Sequence, residues 1–399
     1  MRARHHIVAP SLRIGDVPAA AVLAAARRRG PVARDTIATL TSLSIATVNR
    51  QVAALLEAGL LRERADLAVP GAIGRPRIPV EVNHEPFLTL GVHIGARTTS
   101  IVATDLLGRT LDAVETPTPG GPQGTALAAL AASARRYLSR WHKRRPLWVG
   151  VAVGGVVDGR TGHVDHQRLG WAQAPVGSVL AEALGLPVSV AASVDAMAGA
   201  ELLLGVRAPT ASSLYIYARE TVGYALVIDG RVHTPATGPG TIANLPARSD
   251  LLGGAGGLES TVSDEAVLAA ARRHGVIAGG AATAGLTPLV AAARQGSAPA
   301  RGLLAERARV LGESVALLRD LLNPDDLVVG GQAFTEYPEG MEIVEAAFAQ
   351  RSVLAPRDLR VTAFGNRVQE AGAGIVSLGG LYADPLGALR KATRSAAAS

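Results

Sequence analysis

Ser44, Ala46, Thr47, Asn49, Arg50 and Gln51 lie within eight residues of one another and mix small side chains with hydrogen-bonding ones. Arg, Asn and Gln have planar ends that match base edges in the DNA major groove or grip phosphate oxygens, and small residues let a helix backbone approach the groove wall. That chemistry requires the reading residues to share one exposed helix face. Val48, Val52, Leu55 and Leu56 recur at i, i+4, i+7 and i+8, which marks one buried stripe. At about 100° per residue, Ala46, Thr47 and Arg50 begin the opposite face, flanked by Asn49 and Gln51. Arg50 is the first choice for a base or phosphate contact.

The elements that must position this helix are legible on either side. Ser44 suits the N-cap and Gly59 closes the helix. Upstream, residues 34–40 form a second helical stretch ended by the turn Thr41-Ser42-Leu43. An apolar alanine-rich helix before it stops at Arg27-Arg28-Arg29-Gly30, cations and a glycine where helix C-termini favour them. This spacing is a helix-turn-helix. Downstream, residues 60–64 read as a short strand and 72–77 as a hairpin or extended arm, a basic wing whose Arg75 and Arg77 suit a narrow minor groove.

Charge agrees with that assignment. Residues 1–85 hold twelve arginines and no lysine against seven carboxylates, leaving +5 of the whole chain's +7. A basic head on a nearly neutral body is the footprint of a polyanion partner, with affinity that falls as salt rises. A membrane partner is not expected, since there is no lysine-rich amphipathic helix, lipidation motif, signal peptide or apolar run of spanning length. With no cysteine in 399 residues, disulfides and thiolate metal sites are excluded, which fits a cytoplasmic protein. Aromatics are only 3% of the chain, so stacking on single-stranded bases is not the main binding mode.

Beyond Glu85 strands alternate with helices. Residues 88–95, 99–105 and a segment after Gly108-Arg109 read as strand, turn, strand, Gly-Arg turn, strand. The same order returns at 213–217, 224–228 and around Asp229-Gly230-Arg231. The repeat predicts two similar α/β lobes facing each other across a cleft. Helices are predicted at 125–142, 196–204, 263–274, 300–322 and 370–381, and buried strands at 147–153, 187–190 and 327–329, the first and last of these running into Gly-Gly pairs.

At this point the chain resembles the ROK family, which joins repressors of sugar-utilisation genes and sugar kinases on an actin-like fold. The resemblance covers nearly the full length. It rests on Leu43-Ser44, Val48 and residues 55–60 in the head, and on Gly74-Arg75-Pro76 in the wing. In the body it rests on residues 90–96 and 150–155, Leu169-Gly170-Trp171, residues 184–188, Gly257-Leu258-Glu259, and Asn323-Pro324 before residues 328–331.

The departures from the resemblance concern kinase chemistry. Where kinases of the family open with Asp-Ile-Gly to hold the nucleotide's metal, this chain has His93. Their Gly-Thr-Gly-Ile-Gly phosphate turn corresponds to residues 219–223, Arg-Glu-Thr-Val-Gly, with a carboxylate where phosphate oxygens would approach. Their Asn-Asp pair, whose Asp is the catalytic base, falls on Ala192-Ser193. Asp195 stands two residues on, about 200° around a helix. The sugar-gripping Glu and zinc-binding His fall on Thr241 and Asn244, and three zinc cysteines on Asp250, Leu252 and Gly257, so neither a metal nor a cofactor is expected. Glu259 alone survives among the sugar-contacting acids.

The fold class expected is therefore α/β, with a winged helix-turn-helix over residues 1–85 followed by a two-lobed actin-like domain over residues 86–399. The function expected is a DNA-binding transcription regulator, a repressor without enzyme activity. It would act on double-stranded operator DNA as a homodimer or homotetramer. A sugar or sugar-phosphate effector is expected by resemblance, with Gly155, Ser193, Thr241, Asn244 and Glu259 as the residues that would meet it. An active sugar kinase and a scaffold that does not bind DNA are the rival readings.

Overall fold

The computed structural model describes residues 7–67, 78–235, 238–277 and 285–398. Three helices open the chain: α1 (Pro18–Arg29), α2 (Arg34–Thr41) and α3 (Ile45–Glu57). Each boundary has a local cause. Pro18 begins α1, where a missing N–H costs nothing, and Gly30 ends it at φ 70° while donating to the Ala26 carbonyl. Ser42 takes the left-handed conformation at φ 56°, so α2 stops and the chain turns sharply into α3. Strands β1 (Leu61–Glu63) and β2 (Val80–Val82) pair antiparallel, Arg62 opposite Glu81, and Val32 bridges to Val80. Val22, Ile37, Val48, Val52, Leu55, Leu60 and Val80 are buried together as the core of this winged helix. Arg75 and Arg77, at the predicted wing tip, lie outside the described residues.

The body then runs β3 (Phe87–Ile94), β4 (Thr98–Thr104), β5 (Thr110–Pro117), α4 (Gln123–Ser139), β6 (Arg145–Val153), β7 (Val156–Asp158), β8 (His163–His166), β9 (Trp171–Ala174), α5 (Val176–Leu184), β10 (Val188–Ala192) and α6 (Ser193–Leu204). The main sheet has the order β10-β6-β3-β4-β5. β3 is buried along its whole length, as expected of a strand covered on both faces.

The second lobe holds β11 (Ser212–Ala218), β12 (Val222–Ile228), β13 (Arg231–Val232), β14 (Gly240–Thr241), β15 (Pro246–Ser249), β16 (Gly254–Gly257), α7 (Leu258–Val262), α8 (Asp264–Arg273), α9 (Thr287–Arg294), α10 (Ala298–Leu322), β17 (Asp326–Gly330), α11 (Gln332–Thr335), α12 (Met341–Arg351) and β18 (Leu359–Val361). Its sheet order is β13-β12-β11-β17-β18. Both sheets are thus an antiparallel meander of three strands extended by two parallel strands through helical crossovers. The duplication read from the strand-and-turn repeat is a duplication of topology. By contact density the chain divides into two units. The first holds Met1–Leu204 and Gln369–Ser399, so the winged helix belongs with lobe 1, and the second holds Gly205–Pro235 and Pro239–Val368.

Two helices complete the first unit, α13 (Val368–Ala383) and α14 (Pro385–Ala398). α14 was not among the predicted helices. Its described buried residues are Pro385, Gly387, Ala388, Ala392 and Ser395, small side chains rather than the large apolar ones that mark a core helix by their spacing, and it packs on α1. α13 lies directly on the sheet backbone. Paired Gly91 and Gly150 leave the space, since a Cβ on Gly150 would fall 2.1 Å from the Ser377 nitrogen and one on Gly91 2.7 Å from the Ala373 carbonyl carbon. Gly150→Ala should therefore lower stability by about 3 kcal/mol, read as a reduced urea midpoint at unchanged slope. An unchanged midpoint would show that α13 can lift off the sheet.

Candidate DNA interface and ligand lobes

In α3 the Ser44 Oγ accepts from the Thr47 N–H at 3.2 Å and donates to the Thr47 hydroxyl at 2.9 Å, fixing the first turn. Val48, Val52 and Leu55 are each 0% exposed. The roll of the helix about its axis is set by that stripe, and Ser44, Ala46, Asn49 and Arg50 face outward, with Thr47 and Gln51 half-buried at the edges. The side chains of Asn49, Arg50 and Gln51 make no hydrogen bond or ion pair with another described residue. Leu56 is half-buried rather than buried, so the stripe is one residue narrower than its spacing predicts.

The basic residues of the wing stem behave differently. Arg62 donates to Glu81 at 2.7 Å and to Glu85 at 2.8 Å, Arg64 to Asp66 at 2.6 Å and to Glu81 at 3.0 Å, and Arg34 to Glu63 at 3.0 Å. Arg62 holds the Glu85 carboxyl below its ordinary range, and Arg64 does the same for Asp66. Their charge is neutralised within the domain, and the net count of +5 does not say which arginines are the paired ones. The alternating Arg-Glu-Arg of residues 62–64, opposite Glu81, was the available signal. In contrast, Arg28 and Arg29 at the end of α1 and Arg50 on α3 are exposed.

In lobe 1 the register aligns the C-terminal ends of three neighbouring parallel strands, with Ile94 and Ala192 both opposite Val153. Gly95, Gly155 and Ser193 therefore follow one another along a single sheet edge, where α/β proteins take ligands. Gly155 has φ 87°, and a Cβ there would fall 2.2 Å from the Asp165 carbonyl oxygen, so only glycine fits. His166 accepts from the Leu169 N–H through Nδ1, and burial pushes its pKa down, which leaves a neutral imidazole. Ser193 starts α6, and its buried Oγ has no partner among the described residues. Asp195 is 5% exposed, also without a partner, and burial pushes its carboxyl up to about 7. His93, 5% exposed in β3, supplies no fixed negative charge for a metal.

In lobe 2 Thr241, Asn244 and Glu259 are brought together, because the Glu259 N–H donates to the Ala243 carbonyl and the Leu258 N–H to the Leu245 carbonyl. Each is partly used locally. The Thr241 hydroxyl accepts from the Ala243 N–H at 3.2 Å, and one Glu259 carboxylate oxygen accepts from the Val222 N–H at 3.1 Å. The loop of residues 219–223 is held by ions of its own lobe. The Arg219 carbonyl accepts from the Asp264 N–H, the Arg219 guanidinium lies 4.0 Å from the Asp264 carboxylate, and that carboxylate accepts from buried Arg307 at 2.6 Å. Nearby Glu336 has its carboxyl raised by burial and by Asp264.

The β15–β16 hairpin carries residues 250 and 252 in its turn and residue 257 at the end of β16. Leu252 at its tip is 2% exposed in a core with Val267, Leu268, Leu289 and Leu303. Apolar packing thus anchors the hairpin. A cavity of about 640 Å³ lies between residues 245–251 and α10, and none of the candidate ligand residues lines it. No described helix is long and apolar enough to cross a membrane.

Fold and site together define a winged-helix protein carrying an actin-like body. The ROK family profile matches residues 89–375, and the chain belongs to the ROK family. It is 73% identical to Transcriptional regulator Rv0485 of Mycobacterium tuberculosis, over 98% of this chain and 92% of that protein. The DNA-binding transcriptional dual regulator NagC of Escherichia coli is 24% identical over 80% of this chain and 81% of its own. Among solved structures, a ROK family transcriptional regulator homologous to the E. coli MLC protein shares the fold with TM-score 0.75 at 23% identity, covering 94% of this chain and 98% of its own. A ROK family glucokinase from Streptomyces griseus, solved with glucose and AMPPNP, reaches TM-score 0.61 at 22% identity over 73% of this chain and 99% of its own.

The buried Asp195 carboxyl yields a pH test. Folded, it stays protonated up to about pH 7; unfolded, it ionises near its ordinary 3.8. Between those limits the folded chain binds the extra proton, so this group makes stability fall as pH rises, and its effect is constant above about pH 7. Asp195→Asn should lack that part of the fall. In urea titrations its advantage over the wild type should grow from about pH 4 to 7 and reach on the order of a few kcal/mol. Parallel stability profiles would contradict the burial argument.

Proposed function

We propose that this ROK-family transcriptional regulator is a cytoplasmic repressor that reads double-stranded operator DNA through α3. Residues 1–85 would act as the DNA-binding domain, and residues 86–399 as a sensor and oligomerisation domain without kinase activity. The observation that carries the proposal is the outward face of α3. Its Asn49, Arg50 and Gln51 side chains have no hydrogen-bond or ion-pair partner among the described residues, on a helix whose roll is fixed by a fully buried stripe. Ser44, Ala46 and Thr47 would admit the backbone to the major groove, and Arg75 and Arg77 would supply the wing's minor-groove contact. As a homodimer or homotetramer the protein would place two such helices about 34 Å apart on one DNA face.

The absence of kinase activity is argued from chemistry. His93 replaces the metal-holding acid, the base position is Ser193, and the phosphate turn is filled by the Arg219, Asp264 and Arg307 ion cluster. A retained sugar or sugar-phosphate effector is the second reading, favoured by the buried hydroxyl of Ser193, which has no partner among the described residues, at the C-terminal end of the lobe 1 strands and by the clustering of Thr241, Asn244 and Glu259. With Gly155, these are the residues it would use.

Arg50→Ala should weaken binding to operator fragments by about 1–3 kcal/mol, and relax preference at one base pair if Arg50 reads a base. A uniform loss across sequences would assign it to phosphate, and no loss would remove α3 from the interface. In calorimetry with ATP no binding heat is expected, and turnover of ATP with a hexose would overturn the non-kinase reading. A rise in melting temperature with one sugar in a screen would support the effector.

A further inference from the structure

Of the three arginines that end α1, Arg28 and Arg29 face solvent while Arg27 is half-buried and turned onto lobe 1. Its Nη2 donates to the Leu203 carbonyl at 2.8 Å, in the last turn of α6, where carbonyls lack helical partners and a cation is favoured. Its Cζ sits 4.3 Å from the centre of the Tyr382 ring on α13, a cation–π contact on a ring that is itself buried. The Tyr382 hydroxyl donates in turn to the Leu106 carbonyl, so the ring cannot swing away cheaply. One guanidinium thus joins a helix of the DNA-binding head to two helices of the body.

Two further ties brace the same junction. Residues 7–17 run along lobe 1 as a strap: the Val8 N–H donates to the Val188 carbonyl, the Ser189 hydroxyl donates to the Val8 carbonyl, and Leu12 packs on Gly199 of α6. At the other end of the head, His84 Nδ1 lies 3.1 Å from Asp105, and Arg144 donates to the carbonyls of His84 and Phe87. Strap and linker fasten the chain where it enters and leaves the head. Arg27 holds a helix of the head itself.

We propose that Arg27 is a positioning residue for operator recognition: its clamp on Leu203 and Tyr382 sets the orientation of the head on lobe 1, and so the half-site spacing that an oligomer accepts. The inference rests on the reading of α3 as the DNA-binding helix of a dimer. A rigidly held second head binds at high effective concentration at one spacing, whereas a slack one loses that advantage and tolerates other spacings.

The experiment measures full-length wild type, Arg27→Ala, Tyr382→Leu and Tyr382→Phe on three duplexes cut from a selected genomic operator: a single half-site, the natural pair of half-sites, and the pair with about 5 bp inserted, which puts one half-site on the opposite DNA face. Melting curves establish that each variant is folded. Arg27→Ala and Tyr382→Leu should bind the single half-site within about twofold of wild type, lose about tenfold on the natural pair, and show a smaller penalty for the insertion. Tyr382→Phe keeps the ring face and should keep the wild-type pattern. Tyr382→Leu tests the clamp from the body side, so the proposal stays open to refutation even if Arg27→Ala unfolds the head. Folded variants that retain the wild-type spacing profile would overturn the proposal, as would a loss at the single half-site equal to that on the pair. A wild type that binds no duplex would instead overturn the DNA-binding reading on which the proposal rests.

Discussion

The burial of Val48, Val52 and Leu55 is the constraint on which the rest depends. A helix can present a reading face only if its roll is fixed, and a stripe with no exposed surface fixes it, because rotating α3 would expose several apolar side chains at roughly 1.5–3 kcal/mol each. The left-handed turn at Ser42 and the Ser44 cap set where the helix begins, and β1 and β2 close the core behind it. What faces outward is then decided by sequence alone. Asn49 and Arg50 are left facing outward, with Gln51 at the edge.

Electrostatics sharpens that picture. Arg34, Arg62 and Arg64 are spent on Glu63, Glu81, Glu85 and Asp66, so their role is to brace the wing stem. The cations left exposed in the described head include Arg28, Arg29 and Arg50. The body shows the same principle of internal use. Asp264 and Arg307 pair beside residues 219–223, and Leu252 sits buried among apolar side chains. Here the architecture, whose fold the Streptomyces griseus glucokinase shares, rests on strand order and on close contacts such as Gly150 on Ser377.

Much of this is legible in the sequence. The head reads through because its signals are local: a stripe at helical spacing, a capping serine, terminal cations with glycine. The two lobes read through because the same strand-and-turn pattern occurs twice. Long-range features are harder to read. Nothing in Arg27-Arg28-Arg29 says that the first turns inward while the others do not, and nothing in residues 7–17 shows that they run along β10 and α6. α14 escapes because the residues it buries are small and carry no stripe of large apolar side chains. The pairing of Arg62 and Arg64 with Glu81 joins residues 17 to 19 positions apart and requires the β1–β2 register. For Gly155, Ser193, Thr241, Asn244 and Glu259, resemblance identifies the positions, while the hydrogen bonds within lobe 2 show how far Thr241 and Glu259 are already occupied.

The most direct test of the account is the affinity of the purified full-length protein for duplex fragments selected from genomic DNA, measured across a series of salt concentrations. An arginine-bearing helix and wing seated on the phosphate backbone predict affinity that falls linearly on logarithmic axes as salt rises, with several counterions released and some fragments retained far more tightly than others. Affinity that ignores salt, or no duplex binding even at low ionic strength, would contradict it.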